Sequence, residues 1–306
     1  MLLISNKEDM GYHPVIKYIP ESIRGYLYSV NLSRAEEIRL RRGRVVTVFK
    51  ESHSLFLTKD AKLSESTENG VIATSKDMDE AFELICKSSL YALEESIKNG
   101  YITVANGSRV GICGSATTRD TKITSIENIS GLNYRLAREI LGVSDSIIDN
   151  IIYDKKILNT LIISPPGCGK TTILRDIARN LSKRRYKVSI ADERNEISAT
   201  CNGQPGYELG NNCDVMEGAK KSEMMSILIR TMSPHVIITD ELGDGEDIKV
   251  VKKAITSGVG VISSVHAKNR FEIKKTNPSL YESFQCFVTL SNKKGVGTVE
   301  EIYRDI

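Results

Sequence analysis

The sequence predicts an α/β protein: a mostly parallel sheet carrying a phosphate-binding loop, with a separate α+β domain before it. Three observations predict this. The stretch Leu161–Asp176, LIISPPGCGKTTILRD, passes from an apolar strand through a small-residue loop into an amphipathic helix. Beyond it, apolar runs alternate with helical patterns, the signature of strand–helix–strand units. Ahead of it, period-two stretches and an Asn-Gly turn read as hairpins.

Length and composition set the frame. A chain of 306 residues suggests about two domains, and the change of pattern places them at 1–140, with a hinge at its end, and 141–306. At 40% apolar and 26% charged the composition is that of an ordinary globular protein. The 42 basic and 39 acidic residues leave a net +3, too weak to argue for nucleic acid or a membrane surface. No apolar run approaches the roughly 18 residues a membrane span needs, and MLLISNKEDMGY is too short and polar for a secretory signal. Cys86, Cys113, Cys168, Cys201, Cys213 and Cys286 are scattered with no CxxC pair, so they read as free thiols in a reducing compartment. The expectation is a cytoplasmic protein whose membrane contact goes through a partner.

In chain order, Pro20-Glu21-Ser22-Ile23 opens a short helix. Ala35–Phe49 alternates around Arg42-Gly43-Arg44 and predicts a hairpin whose arginines form a solvated strand face or a surface for an acidic partner. A strand is expected near Leu55–Leu57, then a helix over Met78–Ile97 with Ser75 as N-cap and Gly100 closing it. Tyr101–Ala105 and Arg109–Ser115 pair around Asn106-Gly107. Ser125–Glu139 reads as a joint between the halves, and Ile147–Tyr153 as a helix entering the second domain.

After the loop, a helix is expected over Thr172–Leu181, a strand at Val188–Ala191, and loop over 200–216. Then come a helix at Ser222–Met232, a strand at Val236–Thr239, a helix at Glu246–Ser257 and a strand from Val259 to His266. Phe284–Leu290 and Gly297–Tyr303 end the chain as a strand pair.

In such a sheet ligands bind at the carboxyl ends of the strands, where four polar groups of residues fall. Ser164, Pro165, Pro166, Gly167, Cys168, Gly169, Lys170 and Thr171, with Thr172 behind them, match a phosphate-binding loop except that Ser164 stands where glycine is usual. Backbone N–H groups of such a loop and the following helix N-terminus cradle phosphate. Lys170 reaches the β- and γ-phosphates and Thr171 holds Mg²⁺. Asp240, after HVIIT, is a second Mg²⁺ ligand, and Glu241 is the first candidate for the base that deprotonates the attacking water. Lys170 and Asp240 are 70 residues apart, which leaves room for an intervening strand. Asp192 and Glu193, in ADERNEI, supply an alternative metal ligand and an alternative base. His266 closes a strand and is a candidate γ-phosphate sensor. Arg109, Arg119, Arg135 and Arg138 are candidate arginine fingers, from this or a neighbouring subunit.

Taken together, EEIRLRRGR, GYITVANGSRVGICG, GLNYRLARE, PPGCGKTTILRD, ADERNEI and IITDELG make the chain resemble the stage III sporulation protein AA family, related to the type II/IV secretion ATPases. The resemblance implies a RecA-like ATPase core behind an N-terminal α+β domain, an ATP- and Mg²⁺-dependent hydrolase of the AAA+ kind, and a homo-hexamer. It implies an Asp box at Asp192–Glu196, a Walker B at Asp240-Glu241 and a His box at His266. It also implies docking on a membrane-anchored subunit of a sporulation channel, on the mother-cell side. The Asp-Glu pair departs from the Gly-Glu common in secretion ATPases. Two other readings stay open: a RecA-like nucleic-acid-dependent ATPase, against which stand the weak charge and the absence of Trp for base stacking, and an ATP-gated ring with little turnover.

Overall fold

The structure, a computed structural model, describes residues 13–86, 100–104, 108–119, 122–136, 139–200, 203–243 and 245–305. The chain packs as two units: Met1–Arg138 with Ala199–Gly206, and Glu139–Ser198 with Tyr207–Ile306.

In the first unit a 3₁₀ turn, Pro14–Tyr18, and helix α1, Glu21–Leu27, precede a curl of antiparallel strands. These are β1 (Ala35–Arg41), β2 (Thr47–Lys50), β3 (His53–Leu57), β4 (Leu63–Ser64), β5 (Tyr101–Thr103), β6 (Arg109–Arg119) and β7 (Lys122–Arg135). The described strands lie in the order β4-β3-β2-β1-β7-β6-β5. β1 shows why they form: Ala35, Ile38 and Leu40 are buried while Glu37 and Arg39 face outward. The neighbouring arginines find internal partners, Arg34 with Glu51 at 2.9 Å and Arg42 with Asp79 at 2.9 Å, as a solvated strand face does.

Helix α2, Ser75–Cys86, covers part of the predicted helix; 87–99 lie outside the described residues, as does the Asn106-Gly107 turn. The expected cap, Ser75, is one residue late. Thr74 accepts from the Asp77 N–H at 3.2 Å, and the Asp77 carboxylate accepts from the Thr74 N–H at 2.8 Å, a reciprocal cap. Asp77 also accepts from the Ser22 hydroxyl of α1. Burial works to raise the Asp77 pKa, but the bonds from Ser22 and Thr74 outweigh it and hold the carboxyl below its usual range. A depressed folded-state pKa contributes stability above the unfolded value that is lost as pH falls through the folded one. Asp77→Asn is therefore expected to cost about 1–3 kcal/mol at neutral pH. The gap to wild type should close as the pH falls below roughly 4. Urea unfolding at both pH values checks this, and a gap that persists in acid contradicts it.

β7 corrects the reading of Ser125–Glu139 as a joint. Lys122–Arg135 is a strand between β1 and β6, paired with both, and Leu132 and Tyr134 point into the core. The fully buried Tyr134 hydroxyl donates to the Tyr18 carbonyl at 2.9 Å. Ser125, Glu127, Asn128 and Gly131 interrupt the alternation and hid it; a strand with long neighbours on both sides needs fewer apolar residues of its own.

In the second unit, helix α3 is only Asp145–Ile148. The helix expected to run on to Tyr153 is instead broken, and β8 (Ile152–Tyr153) turns back on β9 (Lys156–Ile157). Asp154 and Lys155 both take positive φ there, as a tight hairpin turn requires. The main sheet comprises β10 (Thr160–Ser164), β11 (Val188–Asp192), β12 (Cys213–Glu217), β13 (Val236–Thr239), β14 (Gly260–His266), β15 (Cys286–Ser291) and β16 (Thr298–Arg304). Their order is β12-β11-β13-β14-β10-β15-β16, parallel except for β16. β12 lies in the stretch expected to be loop. It is half-exposed at the sheet edge, so its apolar signal is weak.

Helices α4 (Lys170–Lys183), α5 (Lys221–Thr231), α6 (Gly245–Thr256), α7 (Arg270–Thr276) and α8 (Pro278–Tyr281) flank the sheet; the last two were not anticipated. The strands read as unbroken apolar runs because both faces are covered. Ile162, Ile238 and Ile262 pack with Ile173, Ile177 and Leu181 of α4. Leu161, Ile163, Ile237 and Val261 pack with Met225 and Leu228 of α5 and Val251 of α6. Among the described residues no helix is long and apolar enough to cross a membrane.

Candidate nucleotide site

β11, β13, β14 and β10 are consecutive in the sheet, so their carboxyl ends bring Asp192, Asp240, His266 and Ser164 side by side. Ser164 stands opposite His266 in register. It lies inside a strand, away from the left-handed backbone region, and its hydroxyl donates to the Pro165 carbonyl at 2.8 Å. The position therefore has no need of glycine. Pro165, Pro166 and Gly167 are exposed, and Cys168 is buried beneath the loop. Gly167 and Gly169 do need to be glycine, with φ of +75° and +83°. A Cβ on Gly169 would also meet Val296 at 3.1 Å. α4 starts at Lys170, two residues before the predicted Thr172, so its first N–H groups open onto the loop. Thr171 and Thr172 are half-buried in that first turn.

Lys170 is buried. Its Nζ lies 2.8 Å from His266 Nδ1 and 3.4 Å from the Ser164 carbonyl, the Ser164 hydroxyl and the Pro165 carbonyl. Burial lowers its pKa, with Glu241 pulling the other way. Since the ammonium is a donor, His266 Nδ1 accepts, and His266 Nε2 is left to donate to Glu241 Oε1 at 2.9 Å. His266 thus links the loop lysine to the candidate base. The other Glu241 oxygen pairs with Arg194 at 3.2 Å. Glu241 has φ of +37°, unusual for a side chain of its size. Its N–H donates to the Ser264 hydroxyl at 3.1 Å.

Asp240 is 5% exposed, and its Oδ1 has no hydrogen-bond partner. The nearest cation, Lys221, is 3.9 Å from that oxygen, too far for a hydrogen bond. Burial pushes the Asp240 pKa up to about 6, against the pull of Lys221. A buried acceptor without a donor at a strand end suits a cation. Among the described residues no cluster of three or more His, Cys, Asp or Glu forms a metal cage. Mg²⁺ is usually held by only one or two carboxylates plus substrate phosphates and water, and Asp240 Oδ1 with the Thr171 hydroxyl fits that donor set.

Two expectations are revised. Asp192 is fully buried and commits both carboxylate oxygens to the chain that follows. It accepts from the Glu196 N–H at 2.9 Å, the Ser198 N–H at 2.8 Å and the Ser198 hydroxyl at 2.7 Å. It anchors a loop, so the role of metal ligand falls away. Glu193 is held 3.5 Å from Lys221, whereas Glu241 is the carboxylate that meets His266, which favours Glu241 over Glu193 as the candidate base. Arg135 belongs to the first unit, at the C-terminal end of β7, with an exposed side chain 4.0 Å from Glu37. Arg109 is a neighbour across β6 and β7. Arg138 and the Arg119 side chain lie outside the described residues.

Sequence reasoning missed Lys221, Arg194 and Arg175. Arg175, on α4, donates to the carbonyls of Ile197 at 2.7 Å and Glu196 at 2.6 Å and lies 3.6 Å above the Tyr207 ring, fastening the Asp192 loop. Its place in the loop helix was legible; its partners, more than twenty residues away, were not.

A strand, a glycine-containing loop and a helix N-terminus at the carboxyl edge of a parallel sheet, with acidic neighbours, form an α/β core with a candidate phosphate-binding loop. The same fold appears in the pilus retraction motor PilT, whose crystal structure with ADP matches 83% of this chain and 74% of that one at a TM-score of 0.53 and 14% identity. The chain belongs to the family described as sporulation stage III, protein AA, whose model matches residues 14–306. Stage III sporulation protein AA of Bacillus subtilis (strain 168) is 33% identical over 302 residues, 94% of each chain. An uncharacterized protein, ycf45 of Cyanidium caldarium, is 34% identical over 155 residues, 50% of this chain and 45% of its own length.

Proposed function

We propose that this protein is an ATP-hydrolysing motor of a secretion-type channel used in endospore formation. The observation that carries the hydrolase reading is the contact chain from Lys170 through His266 to Glu241, beside an Asp240 oxygen with no partner. The sporulation role rests on the name of the Bacillus subtilis relative.

In this reading the loop from Ser164 to Thr172 cradles the phosphates of ATP with its N–H groups and the positive end of α4. Lys170 moves from its carbonyl partners to the phosphate oxygens. Thr171 and Asp240 hold Mg²⁺, which when bound neutralises charge developing on the phosphates. Glu241 takes the proton of the attacking water, and His266 keeps that carboxylate aimed at the site. Arg135 and Arg138 are the candidate fingers, acting in trans across a homo-hexamer. A peripheral position on a membrane-anchored channel subunit, cytoplasmic on the mother-cell side, completes the model.

One observation favours a slower variant, an ATP-gated ring with little turnover. Phosphate must displace His266 and three oxygens from Lys170 before the site is competent.

Phosphate release with Mg²⁺, and its loss on adding EDTA, is the expected result for a motor. Binding of ATP without measurable release identifies the gated ring, and absence of both rejects the nucleotide reading. Sizing by light scattering should move toward a hexamer with a non-hydrolysable ATP analogue. A monomer at every nucleotide concentration contradicts the ring.

A further inference from the structure

We infer that Lys221 is a positioning residue of the nucleotide site, one that fixes the backbone at Asp240-Glu241 and thereby aims both carboxylates; this rests on the ATPase reading. Lys221 is the first residue of α5, and its side chain is only 13% exposed. A cation at a helix N-terminus opposes the helix dipole, and a largely buried ammonium needs partners. Lys221 finds them on the neighbouring strand ends: the Glu241 carbonyl at 2.7 Å, the Asp240 carbonyl at 3.1 Å, and the Glu193 carboxylate at 3.5 Å.

The two carbonyls flank the residue that carries the unusual backbone angle. Glu241 has φ of +37°, a conformation that persists only when its surroundings hold it. They hold it on every side. Lys221 takes the carbonyls before and after, Ser264 Oγ takes the Glu241 N–H, and the Ser264 carbonyl takes the Leu242 N–H at 3.0 Å. That backbone directs the Glu241 side chain to His266. It also leaves Asp240 Oδ1 without a hydrogen bond, because Lys221 spends its donors on carbonyls and stays 3.9 Å from that oxygen. The ammonium balances the charge of Asp240 and Glu193 without occupying the oxygen that a metal would use. Nothing in the run Lys220-Lys221-Ser222-Glu223 distinguishes this lysine from a solvated helix start.

Lys221→Met keeps the length of the side chain and removes the donors; Lys221→Arg keeps the charge and the donors. Full-length protein of each kind is compared by ATP turnover, by fluorescent-ATP binding with and without Mg²⁺, and by thermal unfolding. Misaligned catalytic groups typically cost up to about 10²-fold, so Lys221→Met should lower kcat about 10- to 100-fold while KM stays within about threefold. Nucleotide binding without Mg²⁺ should be unchanged, because Lys170 and its loop are untouched. Lys221→Arg should recover most of the loss.

Wild-type turnover in Lys221→Met overturns the inference. So does a loss of folding and metal-free binding that Arg does not repair, which marks a purely structural lysine. If the wild type binds ATP without turnover, Lys221→Met must lose the Mg²⁺-dependent part of the affinity, or the inference falls alone. A wild type that binds no nucleotide overturns this inference and the ATPase reading together.

Discussion

Lys170→Ala is expected to abolish ATP turnover and to weaken nucleotide binding by about 10²-fold or more. The side chain is a buried cation that reaches the loop oxygens, and the loop's own N–H groups carry only partial charges. ATP brings several negative charges into a partly desolvated site, where a missing ammonium is not replaced by water. The same substitution should hardly affect folding. Burial already lowers the Lys170 pKa, so the cation costs desolvation in the nucleotide-free protein, and its removal frees His266, which is partly exposed. The expected pattern is lost fluorescent-ATP binding with a melting temperature within a few degrees of wild type. Binding retained at wild-type strength would mean that the phosphates sit elsewhere.

Glu241→Gln is expected to lower kcat by about 10²- to 10⁴-fold, the range general-base catalysis supplies, while ATP still binds. Glutamine has the same shape and can accept the His266 Nε2 hydrogen bond through its amide oxygen, so the contact chain to Lys170 survives. What is lost is the ability to take a proton. The Arg194 pair contributes little to stability because its arginine is mostly exposed. Glu193→Gln is the comparison: Glu193 is engaged by Lys221 while Glu241 meets His266, and the effect should be much smaller. Single-turnover phosphate release measures both. A greater loss in Glu193→Gln than in Glu241→Gln would reverse the assignment of the base.

Legibility in the sequence followed the range of the interactions. The phosphate loop was readable because its demands are local: glycine where φ is positive at 167 and 169, and a helix N-terminus at Lys170. The apolar runs at Thr160–Ser164, Val236–Thr239 and Gly260–His266 were readable because both of their faces are buried. β7 was not, because its hydrogen bonds to β1 and β6 do the work that apolar alternation does elsewhere. The turn at Asp154-Lys155 was missed because neither residue announces a positive φ as glycine does.

The candidate site divides in the same way. By itself the sequence determined which residues stand at strand ends, since a strand's length and its polar terminus are written in consecutive residues. Only the tertiary structure decided that β11, β13, β14 and β10 are neighbours, because parallel strands joined by long crossovers leave no local trace of their lateral order. That order turns Asp192 into a loop anchor, joins Lys170, His266 and Glu241 in one contact chain, and brings Lys221 onto the carbonyls of Asp240 and Glu241. Each of these is a contact between side chains and groups far apart in sequence, and its energy depends on a distance that only packing sets.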